Sequence, residues 1–148
     1  MLRALLAAGL ALAAALPGAA SPAAATPLAC ADPCEIVTNA AAYVAPVTEI
    51  AGGTTVLWRT SDTSHPTADT ADGAERCFIV AVGNGVAPVP VRFDVGGDSL
   101  LATTAAGTPQ AQTRTCSSAS PLPAGGYALP YRCLLHPWMA GALLIDPV

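Results

Sequence analysis

The sequence predicts an all-β protein built as a sandwich or a barrel. After residue 25, no stretch shows the apolar repeat of a helix. Short runs rich in β-branched and aromatic residues are instead separated by Gly, Pro and Asn, which is typical of strands joined by turns. Residues 54–60 and 126–133 also alternate between two faces, as a strand with one buried face does.

These runs predict eight strands, over residues 34–39, 43–50, 54–60, 77–82, 90–95, 99–104, 126–133 and 142–145. Pro46 favours a sheet edge for the second strand, because proline cannot donate a ladder hydrogen bond. Gly96-Gly97-Asp98 joins the fifth and sixth strands as a hairpin. Residues 105–120, rich in Thr, Gln, Ser and Ala, predict a long surface excursion tied down by Cys116.

The first 25 residues have the composition of a secretory signal. A positive start at Arg3 and an apolar segment over residues 5–16 precede small residues, where we expect cleavage after Ala20 or Ala25. The apolar segment of about twelve residues is too short to span a bilayer as a helix. We therefore expect export to the periplasm, the cell surface or the medium. The expected division is a signal peptide over 1–25, a flexible tail over 26–33 and one domain over 34–148.

Charge and length restrict the partners. The formal net charge is −4, and the chain has no lysine and no basic run, which argues against nucleic acid. No segment after the signal is long and apolar enough to cross a membrane. A chain of 148 residues, less its signal, can bury one core. We expect a monomer.

Five cysteines leave one without a partner. Pairing is expected in an oxidising compartment, and of the three connectivities open to the other four we favour Cys77–Cys116 with Cys30–Cys34. The second pair is so close in sequence that it could also stay reduced or bind metal. The first closes a loop of about forty residues and would stabilise the fold by on the order of 3–4 kcal/mol. Cys133 is the odd cysteine.

Residues 131–141 place a thiolate, an imidazole and a thioether in the spacing Cys133-x-x-His136-x-x-Met139. Two His, one Cys and a weak axial Met form a blue-copper electron-transfer site. The chain has only one other histidine, His65, and Met139 is the only methionine outside the signal. The alternative, a buried strand end with a core histidine, does not explain three soft donors within seven residues.

In two segments the chain resembles the cupredoxins, the small blue copper proteins typified by plastocyanin and amicyanin. Residues 131–145 are similar to the family's last strand, ligand loop and closing strand, and residues 51–65 to its Gly turn, strand and ligand histidine. The resemblance implies an eight-stranded Greek-key β-sandwich (cupredoxin-like) with one type 1 copper ion at one end. The disulfide-tied region between the two ligand segments is longer than in the small members.

The resemblance also implies roles around the copper. The edge of His136 would be the electron port, surrounded by an apolar docking patch of Leu134, Leu135, Pro137 and Trp138. Core packing is the alternative for Leu134 and Leu135, because large apolar residues are mostly buried.

Three further residues are expected next to the ligands. Pro137 stiffens the ligand loop by fixing its own φ. Thr60 stands where the family commonly has asparagine, and Pro66 follows the first histidine. In the family the residue after that histidine donates its N–H to the ligand sulfur, and proline has no N–H to donate.

Three functions compete. The expected one is a one-electron carrier that serves redox partner proteins and is not an enzyme. A copper capture or delivery protein would use the same ligands, but such proteins more often have exposed Met- or His-rich tracts, which this sequence lacks. An oxidase would need further histidines, and none remain.

Overall fold

The computed structural model describes residues 25–108, 110 and 112–147, so the predicted signal lies outside the described residues except for Ala25. The described chain forms thirteen strands and a 3-10 turn at Gly73–Glu75. The strands are β1 (Leu28–Ala29), β2 (Cys34–Asn39), β3 (Ala42–Tyr43), β4 (Val47–Ala51), β5 (Thr55–Thr60), β6 (Thr67–Asp69), β7 (Ile79–Val80), β8 (Val91–Gly96), β9 (Ser99–Thr104), β10 (Thr113–Thr115), β11 (Ser120–Pro121), β12 (Tyr127–Cys133) and β13 (Ala140–Asp146).

The strands form two mixed sheets. Sheet A has the order β1-β4-β13-β12-β6-β7, with β11 also paired to β12, and sheet B has the order β10-β9-β8-β5-β2-β3. Strands β1 and β13 run parallel to β4, and β2 runs parallel to β5, whereas the other pairs are antiparallel. The all-β sandwich predicted from the sequence is confirmed. Among the described residues, no helix has the length and apolar character needed to cross a membrane.

One hydrophobic core joins the sheets, and Trp58 of β5 is at its centre. Its ring stacks on Phe78 with centroids 5.0 Å apart. It also meets Phe93 of sheet B and Tyr131 of sheet A edge-on, at 6.4 and 5.8 Å. Val56 and Trp58 are both buried, which confirms the alternation predicted for residues 54–60. Aromatic pairs of this geometry add about 0.5–1.5 kcal/mol each beyond the area they bury.

The single strand predicted over residues 43–50 is wrong. Tyr43 ends β3 at the edge of sheet B, and Val47 begins β4, which lies inside sheet A. Pro46 has no N–H with which to continue the first ladder, and its carbonyl accepts the N–H of Ala142 at 2.8 Å. The proline therefore marks the crossing between sheets rather than an edge strand.

Other boundaries also differ from the prediction. Within the tail predicted over residues 26–33, Leu28–Ala29 forms β1 beside β4, and Cys30 N–H donates to Glu49 at 2.9 Å. The sheet therefore begins before Cys34, because backbone pairing, which leaves no mark in the composition, holds this segment. The strand predicted over 77–82 shortens to β7, and β6 forms over residues that the sequence assigned to no strand.

Both predicted disulfides are present, and Cys133 is free and buried. Cys77 precedes β7 at the edge of sheet A, and Cys116 follows β10 at the edge of sheet B. Their disulfide therefore connects the two sheets. Asp69 reinforces this connection, because its buried carboxylate accepts the Cys77 N–H at 3.0 Å and the Ser118 hydroxyl at 2.7 Å.

Candidate metal centre

The loop between β12 and β13 carries three of the predicted ligands. Cys133 ends β12, and Met139 immediately precedes β13. The N–H of Cys133 donates to the carbonyl of Met139 at 3.0 Å, and the N–H of Met139 donates to that of His136 at 2.8 Å. The two strands and these bonds hold the loop in a tight turn.

The fourth predicted ligand, His65, comes from the connection between β5 and β6. Its N–H donates to Val82 at 2.7 Å, and its carbonyl accepts the Thr67 hydroxyl at 3.0 Å. Thr67 pairs with Cys133 in the antiparallel ladder between β6 and β12. The N–H of Leu134 also donates to the carbonyl of Pro66 at 2.7 Å. Backbone pairing thus places His65 beside the cysteine, although 68 positions separate them.

The donor atoms of His65, Cys133 and His136 converge. The Cys133 Sγ is 3.9 Å from His65 Nδ1 and 3.5 Å from His136 Nδ1, and the donor atoms of the three residues lie within 4.8 Å of one another. Bonds of about 2.3 Å to sulfur and about 2.0 Å to nitrogen would separate such donors by roughly 3.5–3.8 Å on a shared ion. The sulfur–nitrogen distance of 3.5 Å to His136 falls within this range and the distance of 3.9 Å to His65 lies just above it, so a small adjustment would let the donors share an ion.

Most of the site is buried from solvent, and one residue is partly exposed. Cys133 and His65 are each 1 % exposed, and Met139, in the same loop as Cys133, is buried as part of the hydrophobic core. His136 is partly exposed. The structure therefore brings His65, Cys133 and His136 together, buries Met139 in the same loop as Cys133, and leaves His136 partly exposed to solvent.

Asp62, which the sequence did not single out, connects Thr60 to His65. The Oδ1 of Asp62 lies 3.0 Å from Nε2 of His65. The Thr60 hydroxyl donates to the same oxygen, and the Asp62 N–H donates back to the hydroxyl at 3.2 Å. The hydroxyl bond from Thr60, with His65 nearby, holds the pKa of the Asp62 carboxyl below its usual value. In the sequence, Asp62 is an acid three positions before His65, and this spacing alone indicates no role for it.

The cysteine sulfur has few polar neighbours. Within the part of the chain that the structure describes, its contacts with hydrogen-bonding groups are the two imidazole nitrogens, and no backbone N–H donates to it. Pro66, which could not donate one, supplies its carbonyl to the ligand loop instead. The Tyr43 hydroxyl bonds Thr67 at 2.9 Å. Burial raises the pKa of the Tyr43 hydroxyl, the hydrogen bond with Thr67 lowers it in part, and the charge of Cys133 raises it further.

The four apolar residues of the predicted docking patch are not equally exposed to solvent. Trp138 and Leu135 are 71 % and 59 % exposed, and Pro137 is exposed, whereas Leu134 is partly buried. The Trp138 ring meets the His136 ring edge-on at 5.3 Å. The exposed tryptophan and leucine therefore flank the one solvent-facing imidazole of the site.

Comparison with known proteins adds no assignment. A scan against models of protein families finds no match to the chain, and searches of curated proteins and of solved structures find none either.

Proposed function

We propose that this protein is an exported type 1 copper protein of the cupredoxin kind, which carries one electron at a time and is not an enzyme. The observation that carries the proposal is the convergence of two imidazole nitrogens on a buried, unpaired cysteine sulfur. Two disulfides are consistent with an oxidising compartment.

The donor set favours copper over zinc. Structural zinc sites use four Cys or His ligands, and catalytic zinc sites use three and keep a position open to water. Two of the three residues that converge in the described part of this chain are instead buried, and Cys133 shares its loop with a buried methionine. The residue available to complete the set is Met139, a thioether, and soft thiolate and thioether ligands select copper. When bound, copper supplies a one-electron couple. His65, Cys133, His136 and Met139 would hold it.

The fold supplies rigidity and an exit for the electron. Ladder pairing and backbone hydrogen bonds fix both ligand loops independently of any ion, so the ligands need to move little between oxidation states. His136 is the ligand that reaches the surface, and Trp138 and Leu135 would contact a redox partner protein there.

Burial also bears on the alternatives. A copper delivery protein must release its ion, and three of the four ligand residues here are buried. Cys133, His65 and Asp62 also have the order of a nucleophile, a base and an orienting carboxylate, but a sulfur in a 1 % exposed residue offers a substrate no access. Electron transfer needs no such access, which is why we prefer it.

The test uses residues 26–148 loaded with copper. We expect an intense visible absorption from thiolate-to-copper charge transfer and a type 1 spin-resonance spectrum. Cys133→Ala should abolish both, whereas Leu135→Ala, an exposed change in the same loop, should keep them. A wild-type protein that binds zinc but gives no coloured copper complex would contradict the proposal.

A further inference from the structure

Asp62 contacts the side of His65 that faces away from the cysteine. Its Oδ1 lies 3.0 Å from Nε2, while Nδ1 of the same ring lies 3.9 Å from the Cys133 sulfur. His65 is 1 % exposed, and the Asp62 side chain is 34 % exposed. The carboxylate therefore reaches a buried ligand from the solvent side.

Thr60 fixes the carboxylate in this position. Its hydroxyl donates to the Oδ1 that faces His65, and it accepts the Asp62 N–H at 3.2 Å. Thr60 itself ends β5, so the arrangement is anchored to the sheet. Three side chains thus follow one another: the hydroxyl, the carboxylate and the imidazole.

The chemistry of this contact selects one form of the ring. An ionised carboxylate accepts hydrogen bonds and cannot donate them, and a neutral imidazole carries its proton on one nitrogen. The nitrogen facing Asp62 must therefore carry the proton, which leaves the Nδ1 lone pair directed toward Cys133.

We propose that Asp62 is a positioning residue that holds His65 as the Nε2–H tautomer, with Nδ1 ready for the metal, and that its negative charge favours the divalent over the monovalent ion. The second half rests on the proposed function. Carboxylates behind ligand histidines act in this way in other metal sites, and their loss typically lowers metal affinity 10–100-fold.

The first experiment needs no metal. Nitrogen-15 NMR of the metal-free protein should show the proton of His65 on Nε2. Asp62→Ala should give a mixture of tautomers, and Asp62→Asn, whose amide oxygen can still accept, should keep the Nε2–H form. Thr60→Val should weaken the preference. A proton on Nδ1 in the wild type, or an unchanged tautomer in Asp62→Ala, would overturn the proposal.

The second experiment measures copper. Asp62→Ala should lower Cu(II) affinity 10–100-fold, and Cu(I) affinity less. Each tenfold difference between the two losses raises the one-electron potential by about 59 mV. Asp62→Asn should raise the potential as well, because it removes the charge. Asp98→Asn removes a charge from an exposed turn between β8 and β9 and should leave potential and tautomer unchanged.

Potentials that shift equally in Asp62→Asn and Asp98→Asn would refute a specific role for the Asp62 charge. If the wild type binds no copper, the proposed function fails, and the NMR result still decides whether Asp62 positions His65.

Discussion

Gly141→Ala should destabilise the protein through one contact. Gly141 lies directly opposite Tyr131 in the ladder between β12 and β13. A Cβ on Gly141 would lie 2.5 Å from both Cζ and the hydroxyl oxygen of Tyr131, whereas carbon atoms normally pack about 3.5–4.0 Å apart. The tyrosine ring would have to move by roughly 1 Å or more.

The ring has no free direction in which to move. Tyr131 is fully buried, and its centroid lies 4.8 Å from that of Tyr43 and 5.8 Å from that of Trp58. Overpacking of this kind costs about 1–3 kcal/mol and occasionally more, and we expect the upper end. Tyr131 is two positions before Cys133, so the loop between β12 and β13 should be disturbed as well.

Urea unfolding of the metal-free protein measures this cost. The matched control makes the same change in Tyr131→Leu, which lacks the ring. There Gly141→Ala should lower the free energy of unfolding by less than about 1 kcal/mol, and a double-mutant cycle detects the difference between the two backgrounds. If Gly141→Ala costs the same with and without the ring, the contact is not the cause and the reasoning fails.

Two further predictions concern the site and the core. Pro66→Asn restores an N–H beside the ligand histidine. If about 1 kcal/mol of its hydrogen bond to the sulfur distinguishes the oxidation states, voltammetry should show a rise of roughly 40 mV, and an unchanged or lower potential rules this out. Burial raises the pKa of Tyr43 and of Tyr131, so above about pH 10 the unfolded chain loses these protons first. The contribution of each of these tyrosines to the free energy of unfolding should be constant below that pH and should fall above it by about 1.4 kcal/mol per pH unit. Urea unfolding between pH 9 and 12 measures this loss of stability. The fall with pH that the two tyrosines cause together should be halved in Tyr43→Phe, and an unaltered fall would contradict a raised pKa of Tyr43 as its cause.

The sequence was sufficient to single out the three residues that converge in the structure, because their side-chain types are rare in it. With two histidines and one cysteine left over, His65, Cys133 and His136 had few rivals, and the alternation of residues 54–60 fixed which side of β5 is buried. Asp62 could not be singled out, because an acid in a polar loop is usually solvated. Its role depends on the turn that directs it back at His65.

The path of the chain from one sheet to the other could not be predicted from the sequence either. Pro46 has no N–H for a ladder, which an edge strand and a crossing between sheets accommodate equally well, and the prediction of an edge strand was wrong. Strand β1 is only two residues long and is held by pairing with β4, which no local pattern records. Such contacts are non-local, and their partners are set by the topology.

The position of β13 has a consequence for the order in which the protein assembles. This strand pairs with β4 in parallel, joining Val47 to Ala142, which lies 95 positions later in the sequence. Because a chain is made from its N-terminus, β4 must therefore wait for a distant partner, and long-range pairings of this kind form slowly. The loop between β12 and β13 is closed locally by the antiparallel pairing of those two strands, but His65 is brought to it only by the pairing of β6 with β12. The convergence of His65, Cys133 and His136 therefore requires that this part of sheet A be assembled first, whatever the state of the loop itself.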